Sequence, residues 1–197
     1  MTKARGCCRN GSRARPWSIT ILPGGCSRWS ASCNGARELT GADRPEPLPQ
    51  AVLFCCDHNA VRSPMAEGIM KRFYGTDCYI QSVGVTNDME IDGFAIAVCR
   101  EMGVELSRHR SRSFDDLVRE GDDLSSYDLV LAFSPASHRR ALDLTRFYHM
   151  TVEYWPILDP TGLGYGREEQ LASYRKSRDM IVQRLTDRWG PPREGYA

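Results

Sequence analysis

The segment from residue 51 to residue 64 constrains the fold of this chain more than any other part of the sequence. Its first six residues, AVLFCC, are all apolar, as expected for a strand that is buried on both faces of a parallel sheet. A short loop follows, and Pro64 stands where the first turn of a helix tolerates proline. The sequence therefore predicts a strand, a loop and a helix in direct succession, with Cys55 and Cys56 at the end of the strand.

The loop has the pattern Cys-x5-Arg-Ser, which begins at Cys56 and ends at Arg62 and Ser63. In such a turn consecutive backbone N–H groups can converge on one point, and the N-terminus of the helix adds unpaired donors and the positive end of its dipole. The fork of an arginine guanidinium matches two phosphate oxygens. We therefore expect a phosphate-binding loop. Its members between Cys56 and Arg62 are Asp57, His58, Asn59, Ala60 and Val61.

Cys56 is the predicted nucleophile of this loop. Helix N-termini and cationic neighbours favour the thiolate form of a cysteine, and a thiolate can attack phosphorus. Ser63 can donate a hydrogen bond to the sulfur, and Asn59 tolerates the left-handed backbone angles that a tight loop needs. The alternative is that both cysteines are simply buried strand residues, because cysteine is among the residues most often buried. We retain this alternative for Cys55 only.

A phosphoryl transfer to Cys56 needs a proton donor for the leaving oxygen. Asp159 is the candidate, since it follows the last predicted strand and precedes Pro160, which stiffens the chain. The alternative is that Asp159 and Pro160 only begin a turn, a common use of that pair. The residues alone leave both interpretations open.

The rest of the chain alternates predicted strands and helices. Further strands are predicted at 79–83, 128–133 and 151–155, and helices at 64–75, 94–103, 114–118, 135–144 and 168–189. This alternation predicts an α/β fold, a three-layer sandwich with a central four-stranded parallel sheet and helices on both faces. In such folds ligands bind at the carboxyl ends of the strands, and the first strand ends at the cysteine pair.

Residues 1–50 differ in composition from the rest. They are rich in Gly, Ser, Arg and Pro, and they hold eight Lys/Arg against three Asp/Glu. We predict a disordered basic leader, or an extension from a start codon assigned too far upstream; an organellar transit peptide is the alternative. A metal site formed by Cys7, Cys8, Cys26 and Cys33 is disfavoured, because the usual Cys-x2-Cys ligand pairs are missing. The predicted domain spans residues 51–190, and a tail follows at 191–197.

Composition and spacing disfavour several kinds of partner and site. The formal net charge of +1 indicates no nucleic acid as a partner, and no apolar run is long enough to cross a membrane. Without an export signal, the eight cysteines are expected to be reduced thiols of a cytoplasmic protein, which we expect to be a monomer or a weak dimer. No metal-ligand spacing or nucleotide-binding glycine motif is present, so we expect no metal and no cofactor. The basic stretch at 108–112 is interpreted as a solvated loop, and His109 as a structural or surface residue.

The Cys-x5-Arg loop and its surroundings resemble the signature of the low-molecular-weight protein tyrosine phosphatases. The likeness extends over residues 51–189 in the family's order. The segments that carry it are 52–67, 82–84, 107–112, 128–131 and 159–160. The resemblance implies a four-stranded parallel sheet, no metal, and a two-step reaction through a cysteinyl-phosphate. In that reaction Cys56 is the nucleophile, Arg62 binds the phosphoryl oxygens, and Asp159 protonates the leaving oxygen and then activates water.

Several residues depart from the family pattern. His58 stands where glycine is usual, and Asp57 replaces a usually apolar residue and places a negative charge near an anion site. Many members carry a second cysteine where Val61 stands, and that cysteine can form a protective disulfide with the nucleophile. Thr161 and Gly162 replace tyrosines that often flank an aromatic substrate.

The favoured function is a phosphatase that hydrolyses phosphomonoesters, above all phosphotyrosine in a phosphoprotein. Two other functions stay open. Arsenate reduction uses the same loop and needs two further cysteines to relay a disulfide, and Cys78 and Cys99 are the only ones downstream. A non-catalytic module that binds phosphate or a phosphopeptide is the other, and the unusual Asp57 and His58 keep it open.

Overall fold

The computed structural model describes residues 45–87 and 89–192. Within them the strands are β1 (Ala51–Cys56), β2 (Tyr79–Gly84), β3 (Leu129–Ala132) and β4 (Thr151–Tyr154). The α-helices are α1 (Arg62–Tyr74), α2 (Gly93–Arg100), α3 (Phe114–Arg119), α4 (Pro135–Leu144) and α5 (Arg167–Trp189). Residues 1–44 of the predicted leader, with its four cysteines, and most of the predicted tail lie outside the described residues.

The strands form one parallel sheet in the order β2-β1-β3-β4. At the end of β1, Cys56 lies opposite Gly84 of β2, and Cys55 lies opposite Ala132 of β3. The predicted four-stranded parallel sheet is therefore confirmed. Because parallel strands share a direction, the loops that follow all four strands emerge at one edge of the sheet.

Helices cover both faces of this sheet. On one face α1, α2 and α5 pack over a core to which β1 contributes Val52, Phe54 and Cys56. On the other face α3 and α4 pack over a core that includes Leu53 and Cys55. Successive side chains of a strand point to opposite faces, so the two adjacent cysteines belong to different cores. This arrangement confirms the predicted three-layer sandwich.

Some elements are shorter than predicted. β3 begins at Leu129, and the side chain of Asp128, predicted as its first residue, accepts hydrogen bonds from the backbone N–H groups of Gln50 (2.9 Å) and Ala51 (3.0 Å). Asp128 therefore fixes the start of β1 beside β3. α2 ends at Arg100, before Gly103, whose positive φ of 74° takes the chain out of the helical conformation.

Residues 45–50, which the sequence groups with the leader, contact the end of α5. The backbone N–H of Glu46 donates to the carbonyl of Arg188 (2.8 Å), and the two side chains form an ion pair at 3.0 Å. Leu48 packs against the core beneath α5. The compact body of the protein therefore includes residues before the predicted boundary at residue 51.

No helix in these described residues combines the length and the apolar character that crossing a bilayer requires. The longest of them, α5, carries charged side chains along its whole length, from Arg167 and Glu168 at its start to Arg188 at its end. It also packs against α1 and α2. Its place in the fold is that of a surface helix over the sheet.

Candidate active site

The loop at residues 56–63 is held from outside through its carbonyl groups. The carbonyl of Cys56 accepts from the backbone N–H of Val85 (3.0 Å), and that of Asp57 accepts from the N–H of Thr86 (2.9 Å). The carbonyl of His58 accepts from the hydroxyl of Ser111 (2.8 Å), and that of Ala60 accepts from the N–H of Asp92 (3.0 Å). In a trans peptide the N–H of the next residue points opposite to the carbonyl, and the described residues contain no cis peptide. The amides that follow these carbonyls therefore point away from the segments that hold the loop.

The sulfur of Cys56 is almost completely buried, since the residue is only 3% exposed. Its Sγ lies 2.9 Å from Oγ of Ser63, the contact that the sequence predicts. The Ser63 hydroxyl also lies 3.2 Å from the carbonyl of Val83. A hydroxyl carries a single proton, so it donates to the sulfur or to the carbonyl at any moment. A negatively charged sulfur, being the better acceptor, favours donation to Cys56.

Asn59 fixes the shape of the loop from within. Its φ of 53° is in the left-handed region, as predicted, and the residue is fully buried. Its amide nitrogen donates to the hydroxyls of Ser63 and Ser82, both at 2.9 Å. Its amide oxygen accepts from the backbone N–H of Arg112 at 3.0 Å and lies 3.4 Å from Nε2 of His109. Both the nitrogen and the oxygen of its side-chain amide are thus used to hold neighbouring segments together.

Gly84, at the end of β2, allows the loop to pass close to the sheet. A Cβ at this position would lie 2.8 Å from the backbone nitrogen of Asn59 and 2.8 Å from the carbonyl carbon of His58, and it would also contact the Thr86 carbonyl oxygen. These are backbone atoms that cannot turn aside. The close approach therefore requires glycine at this position.

Arg62 brings the distant candidate acid to the loop. Its guanidinium is nearly buried, with 7% of the side chain exposed, and the same nitrogen, NH2, donates to Oδ2 of Asp57 and to Oδ2 of Asp159, both at 2.6 Å. The other terminal nitrogen, NH1, donates to the carbonyl of Phe133 at 3.3 Å. Asp159 is 97 residues away in sequence, and its position after β4 places it at the same sheet edge as Cys56.

The other predicted loop residues lie in two different environments. His58 is exposed at the rim, where its Nδ1 is 3.0 Å from the hydroxyl of Thr86. Ala60 and Val61 are buried in the core beneath α1. Cys55 points to the opposite face of the sheet, so it cannot replace the protective cysteine that the family often has at the position of Val61.

Several residues that support the loop are not predicted by the sequence as site residues. These are Ser82, His109, Ser111, Arg112 and Ser134. The interpretation of 108–112 as a solvated loop is wrong for His109, Ser111 and Arg112, whereas Arg108 and Arg110 are exposed. For Ser82, His109, Ser111 and Arg112, the only sign in the sequence of a place in the site is the resemblance to the family at 82–84 and 107–112. Ser134 has no such signal, because its partner Asp57 is itself a departure from the family pattern.

His109 is a structural residue rather than a surface residue. Its Nδ1 lies 3.6 Å from Oε2 of the buried Glu67, and its Nε2 faces Asn59 and Ser82. Burial lowers the pKa of His109, Glu67 raises it, and the positive charges of Arg112 and Lys71 lower it further; the net shift is downward. The imidazole is therefore neutral at neutral pH and can accept one of these hydrogen bonds.

The remaining described cysteines are core residues. Cys78 and Cys99 are both buried, and burial raises the pKa of Cys78 to about 11 and that of Cys99 to about 12. Burial also raises the pKa of the Cys55 thiol. In residues 45–87 and 89–192, no group of three or more His, Cys, Asp or Glu side chains is arranged to hold a metal ion.

Known proteins share both the sequence pattern and the fold. A model of the family described as low molecular weight phosphotyrosine protein phosphatase matches residues 51–188. The chain is 29% identical over 140 residues to an arsenate reductase of Bacillus subtilis, covering 69% of this chain and 92% of that protein. It is 26% identical over 149 residues to a probable low molecular weight protein-tyrosine-phosphatase of Ralstonia nicotianae, covering 72% of this chain and 94% of that protein.

Among solved structures, a low molecular weight protein tyrosine phosphatase from T. tengcongensis superposes on this chain with a TM-score of 0.56 at 26% sequence identity. The superposition covers 71% of this chain and 97% of that structure. The part of the chain that is shared is the α/β sandwich and its loop, since the family match begins where β1 begins.

Proposed function

Because the chain belongs to the low molecular weight phosphotyrosine protein phosphatase family, we propose that it hydrolyses phosphomonoesters through a covalent intermediate on Cys56. It is a phosphatase-like hydrolase by family and fold. One observation carries the assignment of its residues: the 2.6 Å hydrogen bond from Arg62 to Asp159 brings a carboxylate from the far end of the chain to the loop that begins at Cys56.

In the first step, the Cys56 thiolate attacks phosphorus and forms a sulfur–phosphorus bond, while the bond from phosphorus to the leaving oxygen breaks. Asp159, protonated, gives its proton to that oxygen. The loop amides and Arg62 stabilise the charge that builds up on the phosphoryl oxygens. The use of the loop carbonyls by donors outside the loop, which leaves the amides that follow them directed the other way, supports this assignment.

In the second step, water attacks the cysteinyl-phosphate. Asp159, now a carboxylate, accepts a proton from the water, the sulfur–phosphorus bond breaks, and inorganic phosphate leaves. Ser63, at 2.9 Å, donates a hydrogen bond to the departing sulfur and stabilises it as a thiolate. The cycle uses no group other than these side chains, the loop amides and water.

We propose protein phosphotyrosine as the principal substrate. The sulfur is nearly buried, so a phosphoryl group must reach into the turn, and the length of a phenyl ring lets it do so while the peptide backbone stays outside. Tyr165, on the loop after Asp159, is fully exposed and offers an aromatic surface to such a ring. A cytoplasmic phosphoprotein, or a small phosphomonoester, fits this site, and we expect a monomer or a weak dimer.

The test is hydrolysis of p-nitrophenyl phosphate and of a phosphotyrosine peptide by the wild type, Cys56→Ser and Asp159→Ala. We expect Cys56→Ser to be inactive and Asp159→Ala to lose about a hundredfold or more in kcat with the peptide, because a positioned acid contributes on that order. Asp143→Ala is the matched control, since Asp143 is an exposed aspartate at the opposite end of α4 and pairs only loosely with Arg146 (3.8 Å).

Full activity in Asp159→Ala would refute the acid assignment, and full activity in Cys56→Ser would refute the nucleophile. Phosphate binding without any turnover in the wild type would favour the non-catalytic module. A phosphoserine peptide hydrolysed as fast as the phosphotyrosine peptide would overturn the substrate proposal but leave the mechanism intact.

Arsenate reduction is the second candidate, because the B. subtilis relative at 29% identity carries that name. The chemistry needs accessible cysteines to relay a disulfide outward. Cys78 and Cys99 are buried in the core that α1, α2 and α5 cover, Cys99 as a residue of α2. Burial raises the pKa of both thiols, which disfavours the thiolates that such a relay uses. We therefore rank this function below phosphatase activity. Thioredoxin-coupled arsenate reduction by the wild type, lost in Cys78→Ser or Cys99→Ser, would reverse the ranking.

A further inference from the structure

Asp57 is anchored at two points, although the sequence identifies it only as an unusual charge near an anion site. Its Oδ2 accepts from NH2 of Arg62 at 2.6 Å, and its Oδ1 accepts from the hydroxyl of Ser134, also at 2.6 Å. Ser134 is buried and is the N-cap of α4, where its hydroxyl also accepts from the backbone N–H of Ser137 (3.1 Å). The carboxylate of Asp57 therefore links Arg62 to the rigid start of α4.

Asp159 is held more weakly than Asp57. Its Oδ2 accepts from the same Arg62 nitrogen at 2.6 Å, but its Oδ1 accepts only from the backbone N–H of Thr161 (3.0 Å) in an exposed loop. Its side chain is 47% exposed, against 30% for Asp57. Of the two carboxylates, Asp159 is the one that can leave Arg62 without disturbing a helix cap.

The number of protons on NH2 of Arg62 makes the two carboxylates competitors of a phosphoryl oxygen for that nitrogen. A terminal guanidinium nitrogen carries two hydrogens, and NH2 of Arg62 gives one to each carboxylate. Both oxygens lie 2.6 Å from that nitrogen, so they are within twice that distance of each other. A phosphoryl oxygen can accept from NH2 only when one of them moves away.

We propose that Asp57 and Ser134 form a clamp that positions Arg62, so that an incoming phosphoryl group displaces Asp159 and not Asp57. The proposal rests on the proposed function and deepens it. Displacement frees the Asp159 carboxylate from its ion pair at the moment when a substrate occupies the loop. The freed carboxylate can then take up a proton from water and give it to the leaving oxygen. Asp57 stays on Arg62 and holds the guanidinium in the orientation that the transition state needs. Asp57 is thus a positioning residue.

The clamp has two opposite effects that an experiment can separate. The negative charge of Asp57 neutralises part of the positive charge of Arg62 and therefore weakens the binding of a phosphate dianion. The fixed orientation of Arg62 increases the rate of the chemical step. Removing the charge should therefore tighten phosphate binding while lowering kcat, whereas damage to an ordinary structural residue weakens binding and rate together.

The test compares Asp57→Asn, Ser134→Ala and Ser134→Thr with the wild type, using calorimetric titration with inorganic phosphate and steady-state kinetics with p-nitrophenyl phosphate. For Asp57→Asn we expect phosphate to bind about tenfold more tightly and kcat to fall about tenfold. For Ser134→Ala we expect a similar fall in kcat with phosphate affinity changed less than about twofold, because the charge of Asp57 remains. Ser134→Thr keeps both the cap and the hydroxyl donor, so it should restore kcat.

Asp143→Asn controls for the loss of one negative charge on the protein and should leave both quantities unchanged. Phosphate affinity unchanged or weakened in Asp57→Asn would overturn the clamp, as would an unchanged kcat in both Asp57→Asn and Ser134→Ala. If phosphate binds to the wild type but nothing is hydrolysed, the proposed phosphatase activity fails while the affinity measurements still decide whether Asp57 competes for Arg62. Absence of phosphate binding in the wild type would remove both proposals.

Discussion

At the scale of single residues, the site depends on side chains that each form hydrogen bonds with more than one neighbour. Asn59 connects Ser63, Ser82 and the backbone of Arg112, and Gly84 lets the loop approach the end of β2. His109 completes this set as a neutral imidazole between Asn59 and the buried Glu67. These contacts fix the shape of the loop, which is the preorganisation that the proposed binding of a phosphoryl group requires.

The lowered pKa of His109 predicts a pH-dependent loss of stability. In the unfolded chain a histidine titrates near its ordinary pKa of about 6.5, while in the fold burial, together with Arg112 and Lys71, outweighs Glu67 and lowers the pKa. The unfolded state then binds more protons, so stability is complete above about pH 6.5 and decreases as the pH falls through the folded pKa.

Denaturant unfolding at pH 7.5 and 5.5 should show a smaller loss of stability in His109→Gln than in the wild type, since the variant has no imidazole to protonate. His149→Gln is the control, because His149 is an exposed histidine at the opposite end of the fold, just before β4. If His109→Gln and the wild type lose the same free energy of unfolding between the two pH values, burial of a neutral imidazole is not the cause.

At the scale of elements, Asp92 connects the loop to two helices. As the N-cap of α2 it accepts from the backbone N–H of Phe94 (2.7 Å), and its second oxygen accepts from the hydroxyl of Tyr174 on α5 (2.8 Å). Its own N–H donates to the carbonyl of Ala60. The position of α2 is thereby coupled to that of the loop.

Asp92→Ala should lower the free energy of unfolding by about 2 kcal/mol, which combines a lost cap and a lost side-chain hydrogen bond. Asp92→Asn should lose less, because asparagine caps helices equally well. Tyr174→Phe removes only the contact with α5, so a double-mutant cycle of Asp92→Ala and Tyr174→Phe should be non-additive. Additive effects would show that the two groups are not energetically coupled. Equal losses in Asp92→Ala and Asp92→Asn would contradict the capping contribution.

At the scale of the whole molecule, the residues 45–50 belong with the sandwich. The ion pair and the backbone hydrogen bond between Glu46 and Arg188 join this segment to α5, and Leu48 packs against the core on the same face of the sheet. The family match begins only at residue 51, so residues 45–50 lie before the part that matches the family model.

Two truncations should therefore differ in stability. Removal of residues 1–44 should leave the free energy of unfolding and the phosphatase activity unchanged, whereas removal of residues 1–50 should lower the free energy of unfolding by about 2 kcal/mol through the loss of Leu48 burial and of the Glu46 contacts. Chemical denaturation of the two shortened chains beside the full chain measures this difference. Equal stability of the two truncated forms would contradict a structural contribution from residues 45–50, and loss of activity on removing 1–44 would assign a function to that segment.

The order of strands and helices, the parallel sheet and the loop itself could be predicted from the sequence, because each depends on local patterns. An unbroken apolar run such as Ala51–Cys56 is typical of a strand buried on both faces, and Asn59 stands where a left-handed backbone is needed. Local patterns also predict Ser63 beside the sulfur, since seven residues of a tight turn bring them together. The start of β3 and the end of α2 were less predictable. Side-chain hydrogen bonds of Asp128 decide the first, and Gly103 decides the second.

Only the tertiary structure decided which segments that are far apart in the chain come into contact. Asp159 meets Arg62, Ser134 meets Asp57 and His109 meets Asn59 because the order β2-β1-β3-β4 brings the ends of four strands to one edge. A hydrogen bond has a range of a few ångströms, and no local pattern encodes which distant side chain will come within it. The sequence by itself determined the loop and the place of Cys56 at its start, and the packing of the sheet determined which carboxylates share its arginine.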